Sequence, residues 1–265
     1  MVVPLLYGCN GVCLYRSRVP GHAVPEKERP QTEKVGAGCA EKPYFLREGS
    51  GIICGIELRG HFPYLPEMSS SLPDEAFLSR MCHEELWRLF PIILSGSREE
   101  WAELYRRERD LLAEAVGCTR ITRISHIGST AVPGLDAKPT IDILMEVSPD
   151  SFVFETPPLL RKCGYMETHR DEERMGLVMV KGYTAEGFRG QAFHLHVRPW
   201  RDWDELYFRD YLAAHPKEAQ KYAELKRSLK EKFEFNRDAY TEGKTKIITA
   251  MTRRAREEMP GRYVP

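Results

Sequence analysis

The stretch of sequence that decides the fold is residues 126–144, which read HIGSTAVPGLDAKPTIDIL. A strand-like apolar run leads into Gly128, a loop rich in glycine and proline follows, and a second strand-like run closes the stretch. Glycine lets a backbone approach a phosphate closely, and Ser129 and Thr130 add hydroxyl donors beside exposed N–H groups. Gly128 and Gly134 are too far apart for a Walker P-loop, so the pattern predicts a phosphate-binding turn of another kind.

Three side chains around the turn bear on its chemistry. Lys138 is long enough to reach an anion held there, and Asp142, near the start of the second strand, offers a hard carboxylate oxygen to Mg²⁺. His126 leads into the turn and either contacts the phosphate or hydrogen-bonds the loop backbone. From the residues alone, an ordinary turn with Asp142 as a cap at the strand edge is an equally good interpretation.

The periodicity of apolar residues predicts the elements around this loop. A short helical segment ends near Pro91, and a longer helix follows that Ser97 and Glu100 open as a capping box and Gly117 stops. Helices are also predicted on either side of residues 157–158 and at about 202–214, 217–233 and 237–257. Strands are predicted at 119–127, 140–147, 164–168, 176–181 and 191–197. This order indicates an α+β or α/β fold.

Composition divides the chain near residue 70. Residues 1–70 contain nine of the 20 glycines and seven of the 18 prolines and show no regular periodicity, which predicts a low-order N-terminal extension. Residues 71–260 form the predicted domain, with an α/β part over about 84–200 and a helical part over about 201–257. The first 25 residues contain arginine and no acid but lack an amphipathic face, so organelle targeting is left open as an alternative.

The charge and the cysteine content limit which partners and which cellular compartment we expect. The chain has 39 basic and 39 acidic residues, and this balance argues against a broad surface for nucleic acid or anionic membrane while allowing a local basic pocket. No apolar run approaches the roughly 18 residues of a membrane span. Seven cysteines without a repeating spacing indicate reduced thiols. We therefore expect a cytoplasmic protein with a small phosphorylated partner.

Residues 126–144 resemble the signature of the GrpB family, a group assigned to the nucleotidyltransferase superfamily. Further segments resemble that family's motifs in the same order; they are LFPIIL at 89–94 with Trp101, FHLHV at 193–197, FRDYL at 208–212 with His215-Pro216, and YTEGK at 240–244. The resemblance covers residues 84–257. It implies the nucleotidyltransferase fold shared with DNA polymerase beta, with a mixed β-sheet and a C-terminal helical segment.

The superfamily implies roles for several positions and also marks a departure. Gly128 and Ser129 correspond to the step that holds a triphosphate at a helix N-terminus. The next strand normally presents two acids two residues apart that share two metal ions. Asp142 matches the first acid, but the second position is Leu144, which cannot bind a metal. Glu146 lies about 13 Å from Asp142 at ~3.3 Å per residue, too far for one ion to bridge.

His194 and His196 stand on the strand where the superfamily places its third carboxylate. They share one strand face about 6.6 Å apart by strand rise, so together with Asp142 they define a candidate metal site. The expected cofactor is a divalent metal, Mg²⁺ or Mn²⁺ in first place, with Zn²⁺ or Fe²⁺ as alternatives because imidazole suits transition metals. The other interpretation is that one histidine faces a ligand and the other is structural.

The C-terminal motifs supply further candidates. Arg209, Tyr240 and Lys244 are pocket candidates because of the family-like motifs that contain them, and Arg209 or Lys244 would neutralise developing charge. Judged without those motifs, Arg209, Lys226 and Lys244 are basic residues on predicted helices, which usually form a solvated face.

Two functions follow as hypotheses. The first is a nucleotidyltransferase-like protein that binds a nucleoside triphosphate and a divalent metal and transfers a nucleotidyl group to an unknown acceptor, a protein acceptor included. The second, favoured by Leu144, is a catalytically inactive module that senses a nucleotide or a phosphorylated metabolite. A link to coenzyme A metabolism rests on GrpB-like segments being joined to dephospho-coenzyme A kinase domains, although this chain has no kinase P-loop.

Overall fold

The structure is a computed structural model that describes residues 46–48, 51–53 and 71–264. The predicted N-terminal extension, residues 1–70, thus lies outside the described residues except for two three-residue strands. Within the described residues, no helix combines the length and the apolar character needed to cross a membrane.

Seven strands form one sheet among the described residues. They are β1 Leu46–Glu48, β2 Gly51–Ile53, β3 Ile121–Ile127, β4 Thr140–Val147, β5 Met166–Asp171, β6 Gly176–Thr184 and β7 Gly187–Pro199. Their order across the sheet is β2-β1-β3-β4-β7-β6-β5. The pairs β1–β3 and β4–β7 are parallel and the others antiparallel, so the predicted mixed sheet is confirmed.

The described helices precede, interrupt and follow the strands. They are α1 Ser71–Leu78, α2 His83–Leu89, α3 Glu100–Val116, α4 Pro157–Arg161, α5 Asp204–Ala214, α6 Pro216–Phe233 and α7 Arg237–Glu258. Proline is the first residue of α6, where its missing N–H breaks no hydrogen bond. The α+β class and the three C-terminal helices are confirmed.

The capping box predicted from Ser97 and Glu100 is wrong. Helix α3 begins at Glu100 after Glu99, which has helical backbone angles and makes no side-chain cap. The Ser97 hydroxyl oxygen instead accepts a hydrogen bond from the Gly134 N–H at 3.1 Å. Ser97 therefore holds the loop between β3 and β4 and contributes nothing to the start of α3.

Two strands are longer than the apolar pattern predicts. The stretch 182–190, expected as a connection, continues the β6–β7 hairpin, with Tyr183 opposite Phe188. Gly182 has a φ of 85° at an irregularity in the register, and a Cβ there would overlap the Gln191 carbonyl oxygen. Gly182 thus permits a bulge within β6. The sequence pattern indicated the end of a strand there, because glycine's backbone freedom serves both bulges and turns.

The sheet separates two layers, and the alternation along β4 decides which residues face each layer. Ile141 and Ile143 pack in the core with Trp101 and other residues of α3. Leu144 packs on the other face with residues of α5 and α7, such as Leu206. Because side chains alternate along a strand, Asp142 also points to the face covered by the C-terminal helices.

Candidate functional site

The loop between β3 and β4 closes directly onto Asp142. Gly128 has a φ of 72°, and a Cβ at that position would overlap the Asp142 carboxylate. Glycine alone combines this backbone angle with this close approach. The turn that follows, Ser129–Ala131, is a single turn of 3-10 helix. The predicted turn therefore lies against the predicted aspartate.

The helix that the resemblance implies at Ser129 is limited to the single 3-10 turn Ser129–Ala131. Val132 leaves the helical region with φ of −103° and ψ of 113°. Pro133 explains this, because the residue before a proline is pushed towards extended backbone. Any phosphate bound here is therefore held by side chains and by turn N–H groups, without the dipole of a longer helix.

Asp142 begins a short chain of polar contacts. Its Oδ1 lies 3.2 Å from Nδ1 of His194, which is directly opposite in the β4–β7 register. Nε2 of His194 lies 2.7 Å from the Tyr183 hydroxyl. The first contact is close but poorly directed, and Asp142 Oδ1 has no hydrogen-bond partner among the described residues. All three side chains are buried.

The protonation of this chain follows from burial and nearby charge. Burial acts to raise the pKa of Asp142, but the contact with His194 and the positive charge of Lys138 outweigh it and lower that pKa. Burial lowers the pKa of His194 despite the nearby carboxylate. We therefore assign an ionised Asp142 and a neutral His194, with Nδ1–H towards the carboxylate and Nε2 accepting from Tyr183.

The predicted three-ligand metal site is not formed. Among residues 71–264 and the two short strands, no group of three or more His, Cys, Asp or Glu side chains could hold a metal ion. Both nitrogens of His194 are engaged by Asp142 and Tyr183. His196 is buried opposite Leu144, and burial lowers its pKa to about 4. The residues present do not fit a divalent ion shared by Asp142, His194 and His196.

Glu146 has a structural partner instead of a metal. Arg123 donates to both of its carboxylate oxygens, with Nη2 2.8 Å from Oε1 and a shorter contact from Nε to Oε2. The backbone N–H of Arg201 adds a third hydrogen bond at 3.2 Å. Glu146 thus forms an internal ion pair with Arg123 near the end of β4, away from Asp142.

Lys138 and three other basic side chains whose charges act on it are buried together, and we call these four the basic cluster. Lys138 comes from the β3–β4 loop, Lys226 from α6, and Arg237 and Lys244 from α7; their residues are 7 %, 2 %, 4 % and 0 % exposed. Burial lowers the pKa of Lys138 well below its ordinary value, and the charges of the other three members lower it further. Asp142 acts in the opposite direction.

The position of each member follows from its element. Asn236 caps α7 by accepting a hydrogen bond from the Ala239 N–H at 3.0 Å, which sets Arg237 in the first turn. Lys244 lies seven residues later and so faces the same side of the helix. The Tyr240 ring lies between them in sequence, 4.4 Å from Nζ of Lys244 and 5.9 Å from Nζ of Lys138.

Lys226 ties the loop to α6. Its ammonium group donates to the Ser129 hydroxyl at 3.1 Å and, at a shorter distance, to the Asp136 carbonyl oxygen. Burial, and then the charge of Lys244, lower the pKa of Lys226 to about 7. The alternative interpretation of Lys226 and Lys244 as part of a solvated helix face is wrong, because both residues are buried.

Three predicted residues, His126, Thr130 and Arg209, contact the turn and the elements around it. The His126 ring stacks on Tyr105 at 4.7 Å, on the α3 side of the sheet. Its Nε2 is 3.0 Å from Oγ1 of Thr130, whose hydroxyl also lies 3.2 Å from the Thr140 carbonyl oxygen. Arg209 donates to the His126 carbonyl oxygen at 3.0 Å and to the Tyr263 hydroxyl at 3.0 Å. These contacts join the turn to α3, β4 and α5.

Sequence reasoning missed Arg237, Tyr183 and the inward direction of Lys226 as parts of the site. Arg237 follows a helix cap, and nothing in its neighbours distinguishes it from a surface arginine. Tyr183 lies in the stretch expected to be a connection. The one available signal was the spacing of Arg237, Tyr240 and Lys244, which places all three on one helix face.

Fold and site together define a class of protein: an α+β domain in which a glycine turn and three C-terminal helices enclose a buried basic cluster. The sequence model of the GrpB protein family matches residues 91–254, which is more than half of the chain. The chain belongs to the GrpB family.

Relatives and a solved structure agree with this membership. A UPF0157 protein of Pseudomonas aeruginosa is 36 % identical over 156 residues, covering 58 % of this chain and 64 % of that protein. UPF0157 protein YqkA of Bacillus subtilis is 33 % identical over 168 residues, covering 62 % of this chain but 47 % of that protein. The chain thus spans about half to two thirds of these relatives' length. The crystal structure of conserved protein GrpB from Enterococcus faecalis matches with a TM-score of 0.56 and 25 % identity, covering 63 % of this chain and 98 % of that chain.

Proposed function

We propose that this protein binds a small phosphorylated ligand at the basic cluster, as a sensor or accessory module for a nucleotide or a phosphorylated metabolite. The observation that carries the proposal is a group of four buried basic side chains, in which three act electrostatically on Lys138 and Asp142 acts on it in the opposite direction. Removing a charge from water costs on the order of several kcal/mol, and an excess of one sign adds mutual repulsion. A polyanion that enters the cluster offsets both costs.

The chemistry of the cluster favours phosphate over other anions. Lysine ammonium groups bind phosphate oxygens as point charges, and the guanidinium of Arg237 adds a planar fork of donors. The Ser129 hydroxyl, in contact with Lys226, adds a neutral hydrogen-bonding group beside the basic cluster. Several positive groups converging on one ligand suit a di- or triphosphate better than a single carboxylate.

A residue of β4 favours a binding function over two-metal catalysis. Leu144 is fully buried in the apolar layer at the position where a second metal-binding acid would stand. Without a paired carboxylate, two ions cannot be held close together against attacking and leaving oxygens. We therefore derive no metal-dependent step.

A direct test measures ligand-dependent stabilisation. The compounds tested, each in EDTA, are ATP, GTP, CTP, UTP, dephospho-coenzyme A, coenzyme A and tripolyphosphate. We expect at least one of them to raise the unfolding midpoint of the protein by several degrees. The Lys244→Met variant should lose this response because it removes one cation of the basic cluster. The matched control is Lys246→Met, an exposed lysine two residues later on the same helix, which should respond like the wild type. If none of these compounds shifts the midpoint, the proposal fails.

Nucleotidyl transfer remains a second candidate, favoured by the contact between the Gly128 turn and Asp142. Incubation with labelled nucleoside triphosphates and Mg²⁺ or Mn²⁺ tests it through pyrophosphate release. Turnover that Asp142→Asn abolishes would establish a transferase. Binding without turnover supports the sensor.

A further inference from the structure

The segment between α2 and α3 lies against the basic cluster, and we call residues 91–97 the strap. The strap has neither helix nor strand, apart from a single backbone bridge at Ser95. The members of the basic cluster are 0 % to 7 % exposed, so an anion from solution contacts them only if part of the structure moves. Short irregular segments open at a lower free energy than helices and strands, whose hydrogen bonds break together.

The strap runs alongside the part of the β3–β4 loop that ends at Lys138. Ser95 and Ala137 form an antiparallel bridge with two backbone hydrogen bonds of 2.9 and 3.0 Å. The Ser97 hydroxyl oxygen accepts the Gly134 N–H at 3.1 Å. Because Ala137 directly precedes Lys138, the strap is one residue removed from the basic cluster at this point.

Ile92 is the part of the strap that turns inward. It is 0 % exposed and packs with Leu229 of α6 and Tyr240 of α7. Leu229 lies three residues after Lys226 on α6, and Tyr240 lies four residues before Lys244 on α7. Residues at these spacings share a helix face, so Ile92 lies against the faces of both helices that carry the basic cluster.

The interactions that hold the strap closed are weak beyond the Ile92 side chain and the contacts with the loop. The Ile92 N–H donates to the Glu234 carbonyl oxygen at 2.9 Å. Ile93 is 45 % exposed, and a Cβ at Gly96 would have open space around it. The Ser95 hydroxyl is buried and has no hydrogen-bond partner among the described residues, which disfavours the closed strap.

We propose that the strap controls access from solvent to the basic cluster. It opens when Ile92 withdraws from Leu229 and Tyr240 and when Ser95 separates from Ala137, without any rearrangement of the sheet. The ligand that enters is the small phosphorylated compound of the proposed function, so the purpose of the opening rests on that function. The opening itself can be measured without a ligand.

Amine labelling of the full chain measures the opening. A water-soluble acetylating ester modifies lysines that solvent reaches, and mass spectrometry gives the rate at each residue, with the exposed Lys246 as reference. We expect Ile92→Ala to raise the rate at Lys244 by about 10-fold or more, because it removes the buried side chain of the strap. Ile93→Ala removes the same atoms from the exposed neighbour and should leave the rate within about 2-fold.

A disulfide that locks the strap keeps the inference testable if Ile92→Ala destabilises the whole fold. Paired Cα atoms of a hydrogen-bonded antiparallel pair lie about 5.5 Å apart, so the double variant Ser95→Cys, Ala137→Cys can form one. We expect oxidation to lower the labelling rate at Lys244 by about 10-fold or more and reduction to restore it. Equal rates in the two forms would overturn the inference. So would labelling of Lys244 no faster than global opening, as measured by amide exchange in β4.

Titration of the same double variant with tripolyphosphate separates this inference from the proposed function. We expect the reduced form to bind tripolyphosphate and the oxidised form to associate with it about 10-fold or more slowly. Equal association with both forms would overturn the strap as the route of access. If neither form binds tripolyphosphate while oxidation still controls labelling, the strap controls access and the proposed function is the part that fails.

Discussion

At the scale of single residues, burial has changed the chemistry of ordinary side chains. Lys226 occupies a helix position of the kind that sequence patterns assign to solvent, yet its amine is enclosed by Ser129, Tyr222 and the Asp136 carbonyl. Its pKa of about 7 places its charge change near neutral pH. Lys226 therefore makes stability depend on pH in a range where lysine normally has no effect.

We predict that the free energy of unfolding increases between pH 7 and pH 9.5 through Lys226. In the unfolded chain lysine keeps its ordinary pKa of about 10.4, so over this range the unfolded state binds more protons and rising pH favours the folded state. Over this range the free energy of unfolding increases by about 2–3 kcal/mol through Lys226. Below pH 7 the Lys226 contribution to the free energy of unfolding no longer changes with pH. The groups facing Lys226 are Lys244, Arg227 and the Asp136 carboxylate.

Chemical denaturation at several pH values checks this prediction. The wild type should gain stability relative to Lys226→Met across the range, and the Lys246→Met control should parallel the wild type. Parallel pH profiles for the wild type and Lys226→Met would show that the Lys226 amine is not buried as described.

At the scale of elements, the β3–β4 loop is the part that organises the site. It is fixed on one side by Ser97 through the Gly134 N–H and on the other by Lys226 through Ser129. Ser95 and Ala137 add a pair of backbone hydrogen bonds of 2.9 and 3.0 Å. The loop is therefore held in place from both layers of the molecule.

We predict that Gly128→Ala destabilises the protein by about 2 kcal/mol or more. An alanine there combines a strained backbone angle with an overlap against the Asp142 carboxylate. Gly134→Ala is the matched control, because Gly134 has a similar φ of 75° but open space around a Cβ. The Gly134→Ala substitution should lower the free energy of unfolding by only about 1 kcal/mol, because only the backbone is strained. Equal losses in urea denaturation would argue against the close approach of the turn to Asp142.

The elements were largely predictable from sequence, whereas the contacts between them were not. Apolar periodicity located α3, β3 and β4 because local burial patterns follow helix and strand geometry. Ser97 misled because its partner, Gly134, lies 37 residues away. The contact between Tyr183 and His194 was missed for a similar reason: the β6–β7 hairpin brings Tyr183 to His194, and Gly182 made that part of the hairpin resemble a connection.

At the scale of the whole molecule, the site joins the sheet to the C-terminal helices. Asp142 and His194 belong to adjacent strands, Lys138 to the loop, and the other basic side chains to α6 and α7. The basic cluster therefore lies at the interface between the sheet and the C-terminal helices. The repulsion between its basic side chains acts across this interface. A bound polyanion should hold the layers together.

We predict that a bound nucleotide slows amide hydrogen exchange in α6 and α7 around Lys226 and Lys244 and leaves α3 nearly unchanged. The reason is that α3 packs on the opposite face of the sheet, away from the repelling charges. Exchange followed by mass spectrometry, with and without ATP, checks this pattern. Uniform protection of all helices would instead indicate global stabilisation without a ligand at this interface.

Tyr183 restricts how the structure around it can change. Its ring lines a cleft between α1 and α2 on one side and β5 and β6 on the other, and its hydroxyl contacts the imidazole that faces Asp142. A substitution that reshapes the cleft at this position therefore also alters the proton arrangement beside the basic cluster. A change in the shape of the cleft that leaves this proton arrangement intact should therefore arise first at Trp87 or Thr168, which also line the cleft.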